Sequence, residues 1–189
     1  DRVVICEDGT IPQIEITRCG LNDGALPASG QYSAYIACHL TEGDREKVGQ
    51  VIMAGPGEAV PELPEEMPYI TEEVRNDDAV CDGATLTKEE NLYPYICNMR
   101  KGALAGFKYF EIKKLSRISV CVRGNAKGKI YVSVLVDEKN KIAEIPIESK
   151  GGKWKWWTAN AVSDMGIKAL YFQFEGDGNL AFLAFELEE

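Results

Sequence analysis

The sequence predicts an all-β fold, a β-sandwich occupying its C-terminal half, and three observations lead there. From Tyr93 onward, short apolar runs recur at regular intervals with turn residues between them. The runs alternate with period two: Ile118, Val120 and Val122 interleave with Ser119, Cys121 and Arg123, and Leu170, Phe172 and Phe174 with Tyr171, Gln173 and Glu175. Apart from a weak case near Thr87 to Tyr93, no stretch of about ten residues carries a helical period, so helix content should be low. A chain of 189 residues, 45% of them hydrophobic, can bury one core plus an extension.

The elements follow in order. VVICE and TIPQIEIT flank Asp8-Gly9, a dipeptide that tolerates positive φ, so residues 3–17 read as a hairpin within an extension spanning 1–30. With a two-residue turn, Cys6 faces Ile11, so Cys6 and Cys19 are not cross-strand neighbours. Pro12 lacks a ladder donor and places one strand at an edge. A loop from Cys19 to Gly30 leads to a strand at Tyr32 to Leu40, the start of a sandwich assigned to 31–189. Residues 41–90 read as an extended connector inserted after that strand. Between Glu58 and Glu90 lie eleven carboxylates against Arg75 and Lys88 alone, so this segment accounts for the whole net charge of −9. Further on, Gly124 to Lys129 reads as a turn into KIYVSVLV. Then come KIAEIPI, KWKWWTANAV, KALYFQFE and NLAFLAFELE, the last two joined at Asp177-Gly178.

Composition excludes several function classes. A net negative chain repels nucleic acid backbones and anionic lipid alike. No apolar run reaches the ~18 residues that span a bilayer, and no basic-then-apolar leader precedes the first strand. The chain begins with Asp1 rather than Met and is expected to be a piece of a longer protein. Its six cysteines form no C-x-x-C pair and His39 is its one histidine, which leaves zinc without a ligand set; most of the thiols read as small buried hydrophobes. Cys38 and His39 are adjacent, but neighbours on a strand point to opposite faces, giving a buried thiol beside an exposed ring rather than a nucleophilic dyad. Glu111 and Glu144 sit beside lysines on alternating strands, as on solvated faces, and no carboxylate pair has the dry, rigid setting of glycoside chemistry. No catalytic residue is expected.

All three tryptophans fall within four residues, at 154, 156 and 157, after Gly151-Gly152. On a strand, Trp154 and Trp156 share one face and Trp157 points the other way. An exposed indole on a rigid strand is a platform for the C–H face of a pyranose, whereas indoles under loops are packing, and the sequence supports both readings. Asn98, Arg100 and Asn179 could supply the polar groups that grip sugar hydroxyls.

The runs YICNMRKGALAGFKYFEI (95–112), ISVCVRGNAKGKIYVSV, GGKWKWW and KALYFQF resemble a family 6 carbohydrate-binding module, of the kind found at the C-terminus of bacterial family 43 glycoside hydrolases acting on arabinoxylan. EDGTIPQIEITRCGLNDG resembles the hairpin closing the five-bladed catalytic propeller of those enzymes, and YSAYIACHL the module's first strand. The resemblance implies a jelly-roll, galactose-binding-like sandwich. Its cleft would hold xylo- or arabino-oligosaccharides between aromatic rings, next to an upstream catalytic domain. Trp154 falls on the cleft tryptophan and Trp157 on the one packed in the sheet. Asn98 stands where many members carry tyrosine, leaving Tyr95 or Tyr93 as the opposing ring. The family's structural calcium has no evident ligands, since Ser33, Tyr35 and Leu183 stand near the usual acidic positions.

Overall fold

In a computed structural model, the described residues are 5–11, 24–43, 50–52, 67–71, 94–136 and 140–189. Their strands are β1 (Leu26–Pro27), β2 (Gly30–Ser33), β3 (His39–Thr41), β4 (Gln50–Ile52), β5 (Tyr69–Thr71), β6 (Tyr95–Met99), β7 (Leu104–Ile112), β8 (Arg117–Ser133), β9 (Lys141–Ser149), β10 (Lys155–Asn160) and β11 (Gly166–Glu188). A 3-10 turn, Ala34–Ile36, separates β2 from β3.

Two long strands, β8 and β11, organise the architecture. They pair antiparallel almost end to end, and each passes through both layers of a sandwich. In the first layer β10 pairs with residues 117–122 of β8, and the end of β11 pairs with β6 and β2; β5 and β4 follow outside β6. In the second, β9 pairs with residues 126–133 of β8, and the start of β11 pairs with β7, which β3 and β1 join. The alternation seen in the sequence fills the space between. Ile118, Val120 and Val122 come from one layer, and Ile130, Val132, Ile145, Ile147, Phe172 and Phe174 from the other. Phe107, Phe172, Phe182 and Phe185 cluster there with ring centroids as close as 4.7 Å. A register shift between Phe182 and Ala184 resets the period, which lets Phe182 and Phe185 both face inward.

Several expectations need correction. Gly124 to Lys129 is not a turn, and Asp177-Gly178 does not divide two strands. The segments pair with each other, Lys127 opposite Asp177 and Asn125 opposite Asn179. The glycines read as turn signals serve close approach instead: a Cβ on Gly178 would lie 2.0 Å from the Asn125 carbonyl oxygen, and one on Gly128 would lie 2.2 Å from that of Glu175. The run Tyr32 to Leu40 is broken, because the Ser33 hydroxyl accepts from the Tyr35 N–H and caps the 3-10 turn between β2 and β3. The acidic connector is more than a surface strap: Tyr69 and Ile70 of β5 are buried, and β5 extends the sheet beyond β6. Asp8 and Gly9 lie in a three-residue loop, Glu7 to Gly9, rather than a two-residue turn. The Cys6 N–H donates to the Thr10 carbonyl and the Gly9 N–H to that of Cys6, so Cys6 faces Thr10 rather than Ile11, with Gly9 at φ +79°. The rest of the expected hairpin, Cys19, Cys81, Tyr93 and the weak helical stretch at 87–93 lie outside the described residues.

Candidate functional site

The loop carrying Trp154 is fastened to β8 at both backbone polar groups of Gly151. Its N–H donates to Asn125 Oδ1 at 2.8 Å, and its carbonyl accepts from the Gly124 N–H at 3.0 Å. Gly151 turns there with φ +81°. This clamp lays the Trp154 ring over the outward face of the first layer, where Arg123 stands opposite Ala181. The Arg123 guanidinium lies 4.6 Å from the Trp154 ring centre and 5.0 Å from that of Tyr95, and Nη2 donates to Tyr95 Oη at 3.0 Å. Arg123 is fully buried and Tyr95 is 1% exposed. A desolvated cation held against aromatic faces contributes about 2 kcal/mol per contact, so the three side chains form one rigid unit. The Tyr95 and Trp154 rings meet edge to face, with centroids 5.3 Å apart. Tyr95 therefore supports Trp154 and, at 1% exposure, presents no face of its own to a ligand; its expected place as the opposing cleft ring is corrected. Arg123 went unnoticed in the sequence because its position in the alternation marks an outward residue, which is ordinarily solvated.

Asn98, next to last in β6, has φ +58°, a conformation asparagine tolerates, and its carbonyl accepts from the Arg100 N–H at 2.8 Å. Its Oδ1 accepts from Asn179 Nδ2 at 2.9 Å, joining β6 to β11. Asn179 in turn sits opposite Asn125, one outward step along the strands from the Arg123–Ala181 pair. The fold thus gathers Trp154, Asn98 and Asn179 at one end of the sandwich. Two buried polar atoms there have no partner among the described residues, the acceptor Asn179 Oδ1 and the donor Trp154 Nε1. Leaving such a group unsatisfied costs ~1–3 kcal/mol. The Arg100 side chain is exposed at the turn beyond Asn98.

Trp156 shares Trp154's side of the chain but not its setting. It lies opposite Cys121 on β10 and is 45% exposed. Next to it the Thr158 and Ser119 hydroxyls are 2.8 Å apart across the strands. Trp157 points the other way and packs against the core. Burial pushes the Cys121 thiol up to about 12. Cys38 and His39 do diverge as expected, although both are half-buried: the thiol donates to the Gly106 carbonyl, and the ring stands edge-on to Tyr171.

A hollow of about 240 Å³ lies beside β2 and β11, lined by Gln31, Ser33, Leu183 and Ala184. These residues do not fit calcium, which takes six or more oxygens, roughly, with carboxylates prominent among them. Among the described residues the lining holds no carboxylate, the Ser33 hydroxyl accepts from the Tyr35 N–H, and Leu183 packs against the Tyr69–Tyr95 cluster.

No family model matches the chain. A xylosidase/arabinosidase from Thermoclostridium stercorarium is 33% identical over 187 residues, covering 99% of this chain and 35% of the relative. The chain thus spans about a third of the length of the curated relative it matches. Among solved structures, a family 6 carbohydrate-binding module from Clostridium cellulolyticum, in complex with xylose, superposes with a TM-score of 0.57 at 12% identity, covering 86% of this chain and 99% of the module. A β-1,3-glucan-binding family 6 module from Bacillus halodurans gives 0.58 at 14% identity, covering 88% and 100%. A family 43 arabinoxylan arabinofuranohydrolase from Bacillus subtilis, in complex with cellotetraose, also gives 0.58 at 14%, covering all of this chain and 33% of the enzyme.

Proposed function

A homologue of part of a xylosidase/arabinosidase, with the fold of the family 6 carbohydrate-binding modules, this chain is, we propose, a non-catalytic carbohydrate-binding module of a glycoside hydrolase that degrades xylan or arabinoxylan. The observation that carries the reading is the Trp154 indole braced by Arg123 and Tyr95, with the Asn98–Asn179 amide pair joining the neighbouring strands. A xylo- or arabino-oligosaccharide would lay a ring against Trp154 and give its hydroxyls to Asn179 and Asn98, with Arg100 at the rim and Trp156 on the flank. In this reading the module runs from about residue 26, since Leu26 and Pro27 pair with β7 and Ala28 lies in the core. The residues before it lead to an upstream catalytic domain, which makes the chemistry while the module raises the local substrate concentration.

The buried Tyr95 favours a second reading. With one cleft ring closed against Trp154, the sandwich would serve to pack against the catalytic domain or another subunit without holding sugar. Titrating intrinsic tryptophan fluorescence with xylo-, arabino- and cello-oligosaccharides separates the two. Saturable change with one series is the expected result, and no change with any at millimolar sugar in a folded sample would favour packing. The isolated chain should turn over neither aryl xylosides nor aryl arabinosides.

A further inference from the structure

The end of the sandwich away from Trp154 carries an apolar face that sugar binding does not use. β8 folds back on itself at Gly124, whose N–H bonds the Gly151 carbonyl, and the run of β9, its following loop and β10 folds back beside it. The far tips of that run meet where the Val162 N–H donates to the Ile142 carbonyl at 3.0 Å, and the Ala161 N–H donates to that of Ser116 at 2.8 Å. From Gly124 to Ser133 the strand covers about 30 Å. The Trp154 loop and these tips therefore stand at opposite poles.

Eight large apolar side chains are exposed among the described residues, and five of them, Leu135, Val136, Val162, Met165 and Ile167, lie at the far pole. Of the other three, Ile5 and Ile11 belong to the segment before β1, and the third is Trp156. Val162 and Met165 are the most exposed of all, at 81% and 77%. Their loop is pinned by the bonds of Ala161 and Val162, and Leu135 is held by the Ser133 hydroxyl, which donates to its carbonyl at 2.6 Å. The face is thus set in place before any partner arrives, which lowers the ordering cost of covering it. Apolar side chains gathered in this way on a surface mark a contact site.

The course of the chain says what covers it. Pro27 of β1 lies opposite Glu111 of β7, and Glu111 lies opposite Ile167, so one row across three strands joins β1 to the apolar face. The polypeptide before residue 26 reaches the sandwich at this pole. The chain covers 35% of the length of its curated relative, which leaves a large body to be placed beside it. Interfaces between domains of one polypeptide bury only ~600–1,500 Å², and a tether at millimolar effective concentration lets a modest face close.

We infer that Leu135, Val136, Val162, Met165 and Ile167 form the docking face for the domain that precedes residue 26 in the longer polypeptide, with Glu111, Lys113 and Asp164 exposed at its rim. The inference rests on the reading of this chain as one part of that polypeptide and not on sugar binding. Docking at this pole leaves the Trp154 end open to an oligosaccharide.

Peroxide oxidation of Met165, read by peptide mass spectrometry, tests the inference in the longer polypeptide and in the isolated 189-residue chain. Met99, 1% exposed, is the buried reference in both. Met165 should oxidise readily in the isolated chain and about tenfold more slowly in the longer polypeptide. Val162→Asp, at a solvent-facing position of the isolated chain, should restore the fast rate in the longer one. Equal rates in the two wild-type proteins overturn the inference. Protection that appears in the isolated chain and grows with its concentration also overturns it, by assigning the face to a second copy. Fluorescence titration of the longer polypeptide with oligosaccharides keeps the two readings apart. Met165 protected without a sugar response upholds the docking face and sinks the binding role of Trp154, whereas a sugar response with Met165 unprotected does the reverse.

Discussion

The two halves of β8 obey the same alternation and end in different surroundings. From 119 to 123 the residues facing away from the core, Ser119, Cys121 and Arg123, are buried, and the rings of Trp154 and Tyr95 lie against Arg123. From 125 to 129 the equivalent positions, Asn125, Lys127 and Lys129, are exposed, and the two lysines pair with Glu148 and Glu144 of β9. The difference teaches that a strand's pattern fixes its inward face while what covers the outward face is decided elsewhere in the chain, here by a loop clamped at Gly151.

The sharpest way to break the contrast is to remove the buried cation. Arg123→Ala should destabilise the fold by on the order of 3 kcal/mol, since two aromatic contacts go and a cavity remains; urea denaturation would show it as a lowered midpoint. Next comes the pair of indoles. Trp154→Ala should cost about 2 kcal/mol and abolish the oligosaccharide-induced fluorescence change, whereas Trp156→Ala, exposed on its strand, should shift stability by about 0.5 kcal/mol. Equal losses of binding for the two would erase the distinction between them.

A smaller effect separates the halves by pH. The Cys121 thiol is pushed from 9.0 to about 12 by burial, so the unfolded chain gives up this proton before the folded one does. Below the unfolded value the thiol is neutral in both states and contributes no slope. Between about 9 and about 12 the folded state holds more protons, and stability must fall as pH rises. Cys121→Ala should flatten that part of a stability–pH curve, and the native thiol should resist alkylation at pH 8. Smallest of all, Lys129→Ala should leave the melting temperature within error, because its partner Glu144 lies in solvent with it.

Much of the sandwich was legible because hydrophobic period is a local property. The inward set at Ile118, Val120 and Val122 and that at Leu170, Phe172 and Phe174 could be read directly. The turns were misread where one residue type serves two ends. Gly128, Gly176 and Gly178 look like punctuation, yet they exist because two backbones nearly touch, a fact about positions some fifty residues apart. The site was half legible for the same reason. Three tryptophans after paired glycines pointed to Trp154, and the search for amides that could grip hydroxyls to Asn98 and Asn179. Nothing local could say that Arg123 would slide between Trp154 and Tyr95, nor that Tyr95 would be sealed beneath.

The way β11 threads both layers bears on how the protein comes to be made. β11 pairs with β2, β6, β7 and β8, and its partners reach back from residue 188 to residue 30. Contacts so distant in sequence carry a large loop-closure cost before they return anything, which slows folding. On the ribosome, β8 and β9 can form a ladder as they emerge, but neither layer can be completed until Gly166–Glu188 has been synthesised. The nascent chain therefore holds its apolar strand edges open until that strand has emerged.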